Sequence, residues 1–476
     1  MERSEMQFTN GEEFPLIDPA LGTPFRTVRL STVDDVGVAV DHARRALPAW
    51  SRTSWDERAA ILKRTADAIR ASASEIAAVL TQEQGKPLKE ANIEVKRCAD
   101  TFEFYASERF RESTEQREIP GKLAVVKPRP IGVVAAIVPW NFPLTLLANK
   151  LVPALITGNT VVAKPAQTTP LATRMVLDRL YECGLPDGVV TTVLGAAEVG
   201  RALVAHPDVA MVSFTGSTQT GRAIMAAAAP RVKRLALELG GSDPLIVDES
   251  ADVAGAAKAA AVGRFFNAGQ ACIAVKRIFV HEAVADEFID LLAARIDRLP
   301  VGDGRTPGVL MGPQHTESQR QVTLRQIRDA IARGATVVRG GGVPDDPALA
   351  NGFFVAPTLL TDVPDDAAIM TEECFGPAVP VVRVTSFDEA IERANASEFG
   401  LGSTVWTRSR ENALKAIECL DAGYTWINDI GTDHDILPFG GVKQSGFGKE
   451  RGFEVVDEYR ELKSVVVGDS LLGESL

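Results

Sequence analysis

Apolar side chains recur with helical spacing in the first part of the chain. Ser54 and Glu57 stand three residues apart, as in a capping box at the start of a helix. The residues that follow are apolar at steps of four and three, which places them on one buried face: Leu62, Ala66, Ile69, Ala73, Ile76 and Leu80. Gly85-Lys86-Pro87 ends this predicted helix, and a second helix is expected at about 88–109. Before them, the turn residues of 18–22 predict a hairpin.

From Gly132 onwards the pattern changes to short apolar runs that alternate with helical segments. The runs are predicted to be strands at 131–138, 160–163, 189–193, 209–214 and 234–239. Alternating strands and helices predict a mainly parallel, doubly wound α/β sheet. Such sheets bind ligands at the carboxyl ends of their strands. A second α/β unit is expected beyond Gly241, with an amphipathic helix near 284–299.

Two short apolar segments lie outside this alternation. One is 123–126, between Pro120-Gly121 and Pro128-Arg129-Pro130, and the other is 464–467, near the end of the sequence. Both are predicted to be strands, paired with each other within one subunit or across two. Exposed strand edges of this kind favour oligomerisation, so a homodimer or a homotetramer is expected.

The charge and composition of the chain argue against some classes of binding partner. The 476 residues include 51 basic and 63 acidic side chains, a net charge of -12, and no Lys/Arg block. This balance argues against nucleic acid and against an anionic membrane surface as partners. The longest apolar run, 131–138, is too short to span a bilayer, and the N-terminus lacks the apolar segment of a signal peptide. We therefore expect a cytoplasmic protein.

The cysteines and histidines do not suggest a metal. Five cysteines are scattered without a CxxC pair, and five histidines occur without an HExxH motif. Neither a disulfide framework nor a zinc site is predicted.

Two residues are candidates for chemistry. Cys272 follows Gly269-Gln270-Ala271, so small residues leave room for a substrate beside a nucleophilic thiol. Glu238 stands at the end of an apolar strand and is a candidate acid or base. Taken singly, such a cysteine is more often a small buried apolar residue, and such a glutamate is usually solvated.

Further candidates follow the predicted strands. Asn141 is held between two prolines and two aromatic residues, so its amide can serve as a fixed donor to an oxyanion. Lys164 leaves a strand where it can reach a ribose or a phosphate. Gly216 and Ser217 open a helix directly after a strand, a place that suits a pyrophosphate. Taken alone, Asn141 is more readily a turn residue and Lys164 a surface lysine, and the pattern at Gly216 and Ser217 is weak.

The order of these motifs resembles the aldehyde dehydrogenase superfamily. The resemblance extends from about Gln7 to Val467 and rests on PWNFP, KPAQTTP, FTGST, LELGG, GQAC, EECFGP and PFGGVKQSG. The spacing of 34 residues between glutamate and cysteine (272 minus 238) belongs to the same pattern. The implied fold is α/β, with two doubly wound, Rossmann-like parallel-sheet domains and a small β element for oligomerisation.

The resemblance implies a catalytic role for three residues. Cys272 matches the nucleophile that forms a thiohemiacetal and then a thioester with the aldehyde. Asn141 and the backbone N–H of Cys272 match the oxyanion hole, and Glu238 matches the base that activates water. Glu450 falls at a position sometimes proposed as a proton relay, with a structural acid as the alternative.

The resemblance also implies a nicotinamide dinucleotide and an apolar substrate tunnel. The cofactor-binding positions are Trp140, Lys164, Gln167, Gly216, Ser217, Gly221, Leu239, Glu373 and Phe375. The tunnel positions are Phe142, Phe266 and Phe439. Many NAD-preferring relatives carry a glutamate where this chain has Gln167, and that carboxylate repels a 2′-phosphate. NADP is therefore expected to be tolerated beside NAD.

The substrate is expected to be an uncharged aliphatic or aromatic aldehyde. Relatives that oxidise succinic semialdehyde carry two arginines, and the matching positions here are Asn149 and Phe266. A carboxylate without a cationic partner in an apolar tunnel is costly. Asp429, Asp433 and Asp435 precede Pro438 and form either a solvated acidic loop or a site for a cationic aminoaldehyde.

Two other functions remain open on the sequence. A CoA-acylating dehydrogenase of the same superfamily typically lacks the glutamate, so Glu238 argues against it. A thiol esterase or another non-redox use of the fold would not need Lys164, Ser217 and Glu373. The expected domains are a dinucleotide-binding domain (1–111 and 131–241), a catalytic domain (242–456) and an oligomerisation element (112–130 and 457–470).

Overall fold

The strands form where the apolar runs predict them. A computed structural model describes residues 9–111, 113–120, 122–431 and 434–468. Its strands are β1 (Glu13–Asp18), β2 (Thr23–Arg29), β3 (Glu115–Ile119), β4 (Lys122–Pro130), β5 (Val133–Ile137), β6 (Thr160–Lys164), β7 (Val190–Thr192), β8 (Val209–Thr215), β9 (Arg234–Glu238), β10 (Asp243–Val247), β11 (Val275–His281), β12 (Thr336–Arg339), β13 (Thr358–Thr361), β14 (Ala378–Val384), β15 (Phe399–Gly400), β16 (Gly402–Trp406), β17 (Tyr424–Ile427), β18 (Val442–Lys443), β19 (Gly446–Phe447) and β20 (Arg460–Val467).

The helices lie between these strands. They are α1 (Val33–Trp50), α2 (Trp55–Ala71), α3 (Ala73–Gln84), α4 (Leu88–Tyr105), α5 (Pro143–Ile156), α6 (Pro170–Glu182), α7 (Ala197–Ala205), α8 (Thr218–Ala228), α9 (Val253–Phe265), α10 (Glu282–Ile296), α11 (Glu317–Ala332), α12 (Ala368–Thr371), α13 (Phe387–Asn395), α14 (Arg410–Cys419) and α15 (Val455–Glu458). In the residues that the structure describes, no helix is both long and apolar enough to cross a membrane.

Capping explains where the early helices start. The Ser54 hydroxyl accepts a hydrogen bond from Glu57 N at 3.2 Å, and the Glu57 carboxylate accepts from Ser54 N at 2.8 Å. The predicted capping box is therefore confirmed. The single helix predicted after it is wrong in one respect, because the chain leaves helical geometry at Ser72 (φ -102°, ψ 12°) and divides it into α2 and α3.

The first large sheet carries the predicted doubly wound pattern. Its strand order is β19-β9-β8-β5-β6-β7, and all neighbours are parallel except β19, which runs antiparallel to β9. The β5 strand, Val133–Ile137, is buried along its whole length because helices cover both faces of the sheet. The prediction of a parallel α/β sheet is confirmed, and its strand ends converge at Ile137, Lys164, Thr215 and Glu238.

The second large sheet has the order β12-β13-β14-β11-β10-β16-β17. Only β12 runs antiparallel to its neighbour among these strands. The nucleophile candidate, Cys272, lies in the segment between helix α9 and strand β11.

A three-stranded antiparallel sheet stands apart from these two, in the order β20-β4-β3. Ser464 pairs with Val126 and Val467 pairs with Leu123. The two apolar segments that the sequence left open therefore pair with each other within one chain. The strand β3 is exposed along its whole length, and Leu462 and Val466 on β20 are 71% and 57% exposed.

Candidate active site

Cys272 lies on the wall of a cavity of about 290 Å³. The wall is built from α4, α5, the end of α9 and the loop before Phe439, and the predicted tunnel residues all belong to it: Phe142, Phe266 and Phe439. The Phe142 and Phe266 rings stack at a centroid distance of 6.0 Å and an angle of 8°. Asn149 also lines this wall. The cavity therefore presents a mostly apolar surface to a bound molecule.

The segment before the nucleophile has an unusual backbone. Asn267 and Ala268 have φ angles of 49° and 52°, in the left-handed region that is costly for residues with a Cβ. Two buried contacts hold this conformation. The Glu90 carboxylate accepts from Asn267 N at 2.9 Å, and Gln270 Oε1 accepts from His315 N at 2.7 Å. Such strain, fixed by buried partners, presents Cys272 at a defined position on the cavity wall.

Asn141 is fixed by its neighbours. Its side-chain Nδ2 donates to the carbonyl of Gln270 at 3.0 Å, two residues before the nucleophile. Its own carbonyl accepts from Lys86 Nζ at 2.7 Å and from Asn267 Nδ2 at 3.1 Å. An amide nitrogen has two hydrogens, so the second one remains available for a ligand oxygen. The predicted oxyanion donor is thus held against the nucleophile segment.

Glu238 ends β9 and is 4% exposed. Its Oε1 atom has no hydrogen-bond partner among the described residues. Burial raises the pKa of this carboxyl well above its usual range, and the negative charge of Glu450 adds to the shift. A carboxyl that binds a proton this readily is suited to take one from water.

Glu450 belongs to a buried polar cluster with Lys150. The two side chains form an ion pair, and Lys150 Nζ donates to the Thr215 hydroxyl at 2.6 Å. Asn149 Nδ2 donates to the other carboxylate oxygen of Glu450 at 3.3 Å. The cluster joins α5 and β8 to the segment after Phe439. It acts on Glu238, because Lys150 lowers the pKa of Glu238 while Glu450 raises it.

The residues predicted to hold the adenosine end of a dinucleotide, Lys164 and Gln167, lie at and just after the end of strand β6. Burial lowers the pKa of Lys164 to about 8, partly offset by Glu198 on α7. The Oε1 atom of Gln167 is buried without a partner among the described residues. An unpartnered buried acceptor next to a lysine suits the hydroxyl groups of a ribose.

The pyrophosphate candidates surround the start of α8. A Cβ on Gly216 would lie 2.4 Å from the Phe214 ring, and a Cβ on Gly221 would lie 2.5 Å from the Leu239 side chain. Glycine is therefore needed at both positions for the β8–α8 turn to pack. The Ser217 hydroxyl accepts from Thr220 N at 3.3 Å, and Ser217 is exposed at this helix start, a place that suits an anion.

The nicotinamide-end candidates lie near the nucleophile loop. Glu373 accepts from Gly241 N at 3.0 Å and forms an ion pair with Lys276 Nζ at 3.2 Å. Phe375 meets Trp140 edge to face, with ring centroids 5.7 Å apart. These residues have aromatic and carboxylate groups that fit a nicotinamide and its ribose. Together with the β6 and α8 groups, they fit a dinucleotide.

Several residues of this site were missed by the sequence interpretation. His315 stacks on Trp140 at 4.6 Å, and burial lowers its pKa to about 4, so it is neutral near pH 7. Lys86, Lys150 and Lys276 are buried lysines that contact the candidate residues. A lysine is usually exposed, and none of the three stands in a quoted motif, so no pattern in the sequence pointed to them. Asp433 lies outside the described residues, while Asp429 is exposed.

Comparison with known proteins identifies the family of the whole chain. A model of the aldehyde dehydrogenase family matches residues 7–465. The chain is 39% identical over 463 residues to betaine aldehyde dehydrogenase of Rhizobium etli, covering 97% of this chain and 95% of that one. It is 38% identical to succinate-semialdehyde dehydrogenase [NADP(+)] 1 of Mycobacterium bovis, covering 94% and 98%. The structure of Staphylococcus aureus betaine aldehyde dehydrogenase in complex with NAD+ superposes with a TM-score of 0.95 at 34% identity, covering 99% and 96%.

Proposed function

The chain belongs to the aldehyde dehydrogenase family, and we propose that Cys272, Asn141 and Glu238 carry out its NAD(P)-dependent oxidation of an aldehyde to a carboxylic acid. The observation that supports these roles is that Asn141 and Glu238 both act on Cys272 or on the segment directly before it. Cys272 lies on the cavity wall, Asn141 is bonded to the segment that precedes it, and Glu238 is among the charges that act on the Cys272 thiol.

The first step is attack by sulfur. The Cys272 thiol loses its proton, and its Sγ forms a bond to the carbonyl carbon of the aldehyde. The carbonyl oxygen becomes an oxyanion, which accepts hydrogen bonds from Asn141 Nδ2 and from the backbone N–H of Cys272. Burial and the nearby carboxylates raise the pKa of this thiol, so its proton passes to solvent water as the bond forms.

The cofactor is NAD or NADP, which supplies the hydride acceptor when it is bound. Lys164 and Gln167 would hold its adenosine end, Ser217 its pyrophosphate, and Glu373 and Phe375 its nicotinamide end.

In the second half of the cycle the acyl group is a thioester on Cys272. Glu238 takes a proton from water, the hydroxide oxygen attacks the thioester carbon, and the Cys272 thiolate leaves as the carboxylic acid forms. The proton then passes from Glu238 toward the Glu450–Lys150 pair.

The substrate class we propose is an uncharged aliphatic or aromatic aldehyde. The support is the mostly apolar cavity, whose wall includes Phe142 and Phe266 beside Cys272 and has Asn149 where the family resemblance led us to look for an arginine. Two arginines, Arg97 and Arg451, also line the wall, and Arg451 lies 3.8 Å from Asp435. Because that carboxylate offsets the charge of Arg451, we expect hexanal or benzaldehyde to exceed succinic semialdehyde in kcat/KM. A higher kcat/KM for succinic semialdehyde would instead assign the arginines to a substrate carboxylate.

We also propose that the three-stranded sheet mediates assembly into a homodimer or homotetramer. It supports this role because Leu462 and Val466 are exposed on one strand. Light scattering on the purified protein tests it, and a monomer at micromolar concentration would contradict it. The division into dinucleotide-binding, catalytic and oligomerisation parts remains a prediction on the boundaries given above.

The decisive assay follows the absorbance of the reduced nicotinamide with hexanal and NAD or NADP, first without CoA and then with it. The parent enzyme and Cys419→Ser, an exposed cysteine, should react alike, while Cys272→Ala should be inactive. Activity that requires CoA would favour the acylating alternative. Full activity of Cys272→Ala would remove the proposed nucleophile.

A further inference from the structure

Lys276 is a fully buried cation four residues after the nucleophile. It is the second residue of strand β11, and its side chain has no exposed surface. Taking an ammonium out of water costs several kcal/mol, which close anionic or carbonyl partners must offset. The identity of these partners therefore indicates what the lysine does.

The partners come from two segments that are distant in sequence. Lys276 Nζ donates to the carbonyls of Ala271, at 3.1 Å, and of Cys272, and it forms an ion pair with Glu373 Oε1 at 3.2 Å. The same Glu373 oxygen accepts from Gly241 N at 3.0 Å. One ammonium thus joins the nucleophile segment to the carboxylate proposed for the nicotinamide ribose.

The contact with Ala271 has a geometric consequence. The carbonyl of Ala271 and the N–H of Cys272 belong to the same planar peptide unit. When Lys276 fixes the carbonyl, it also fixes the direction of the N–H, which is one of the two proposed oxyanion donors. Oxyanion donors act only when their orientation is set before the reaction.

The charge of Lys276 is also placed to act on the thiol. Of the groups that bear most on the Cys272 thiol, burial and the carboxylates of Glu238, Asp243 and Glu373 raise its pKa. Lys276 is the cation in that set and lowers the pKa. These acids come from β9, β10 and the segment before β14, so the lysine offsets charges from every side of the loop.

We propose that Lys276 is a positioning residue that orients the Cys272 N–H and couples the nucleophile to the Glu373 carboxylate through one buried ammonium. The proposal rests on the proposed function, since it assumes the roles of Cys272 and Glu373. It predicts that thiol reactivity and dinucleotide affinity change together when the charge is removed, even though the two sites bind different molecules.

The test compares Lys276→Met, which removes charge and donors, with Lys276→Gln, which keeps N–H donors without the charge. Both are made in a Cys419→Ser background, and alkylation of Cys272 by iodoacetamide is followed against pH by peptide mass spectrometry without cofactor. Both variants should move the alkylation midpoint upward by about one pH unit or more, because a cation that stabilises the thiolate is gone. The Met variant should also lose more kcat than the Gln variant, because only Gln can still hold the carbonyls.

Dinucleotide binding is measured on the same proteins by quenching of tryptophan fluorescence. Both lysine variants and Glu373→Gln should bind NAD about tenfold more weakly, but Glu373→Gln should move the alkylation midpoint downward, because a nearby anion is gone. The proposal would be overturned if every variant that melts near the parent temperature kept its alkylation midpoint within about 0.3 pH unit of the parent. If the lysine variants do not fold, the direction of the Glu373→Gln shift decides. Inactivity of the parent with aldehydes would instead contradict the proposed function and leave the alkylation comparison valid.

Discussion

Lys150 and Lys276 are both buried beside proposed catalytic groups, but their partners differ. Lys150 is held by side chains, the Glu450 carboxylate and the Thr215 hydroxyl. Lys276 is held mainly by the backbone carbonyls of Ala271 and Cys272, and its carboxylate partner is Glu373. Side-chain partners can exchange protons with one another, whereas carbonyl partners fix the course of the backbone. On the proposed roles of Glu238 and Cys272, we therefore expect Lys150 to affect the proton of Glu238 and Lys276 to affect the nucleophile.

The largest effect is expected from Lys150→Met. It leaves the Glu450 carboxylate buried without its cation, which costs about 3–5 kcal/mol of folding stability. Denaturant unfolding measures this loss. Lys415→Met is the control, because its ion pair with Asp388 is on the surface and should contribute little to folding stability. In the double variant Lys150→Met/Glu450→Gln, part of the stability should return; no recovery would mean that the pair is not the cause.

The next largest effect is expected from Asn141, the proposed side-chain donor to the oxyanion. Asn141→Ala removes one oxyanion donor and should lower kcat by about 10²–10³-fold with little change in KM. Steady-state kinetics with hexanal measures it, with Asn92→Ala as a control, since Asn92 is an exposed residue of α4 that bonds only to Leu88 O among the described contacts. A loss confined to KM would show that Asn141 binds the aldehyde rather than the oxyanion.

A smaller effect tests whether Glu450, the partner of Lys150, acts on the proton of Glu238. Because the pKa of Glu238 is raised, it is protonated at pH values where an ordinary glutamate is ionised, and hydrolysis should increase as pH rises through that pKa. Glu450→Gln removes a repelling charge and leaves the attraction of Lys150. The hydrolysis limb should therefore move to lower pH by about one unit. A pH profile of thioester hydrolysis measures the shift, and a move to higher pH would reverse the assignment.

The smallest effect lies outside both lysine clusters. Gln167→Glu places a carboxylate beside Lys164 and should lower kcat/KM with NADP relative to NAD by about five- to tenfold, about 1 kcal/mol of charge repulsion. The alkylation midpoint of Cys272 should stay unchanged, because Gln167 contacts neither Lys276 nor Glu373 in the described contacts. An altered midpoint would mean that cofactor-site charges reach the thiol without Lys276.

Much of this picture could be predicted from sequence because it depends on local patterns. Alternating apolar strands and helices predicted the first large sheet, and the strand ends predicted Lys164, Ser217 and Glu238 as neighbours. The break of one helix at Ser72 carried no glycine or proline and was missed. The buried lysines were missed for a different reason. Lys150 pairs with Glu450, 300 residues away in sequence, and Lys86 and Lys276 also contact Asn141 and Glu373 on other segments, so only the folded chain brings these groups together.

The central claim is that Lys150 and its partner Glu450 support hydrolysis of the thioester, whereas Lys276 supports attack by the Cys272 thiol. One measurement tests it: rapid quenching of Glu238→Gln and Lys276→Met after mixing with NAD and hexanal, followed by mass spectrometry of the Cys272 peptide. We expect Glu238→Gln to give a fast first turnover and to accumulate an acyl thioester on Cys272. Lys276→Met should lose the fast first turnover and accumulate none. An acyl thioester in Lys276→Met, or its absence in Glu238→Gln, would contradict the division of roles.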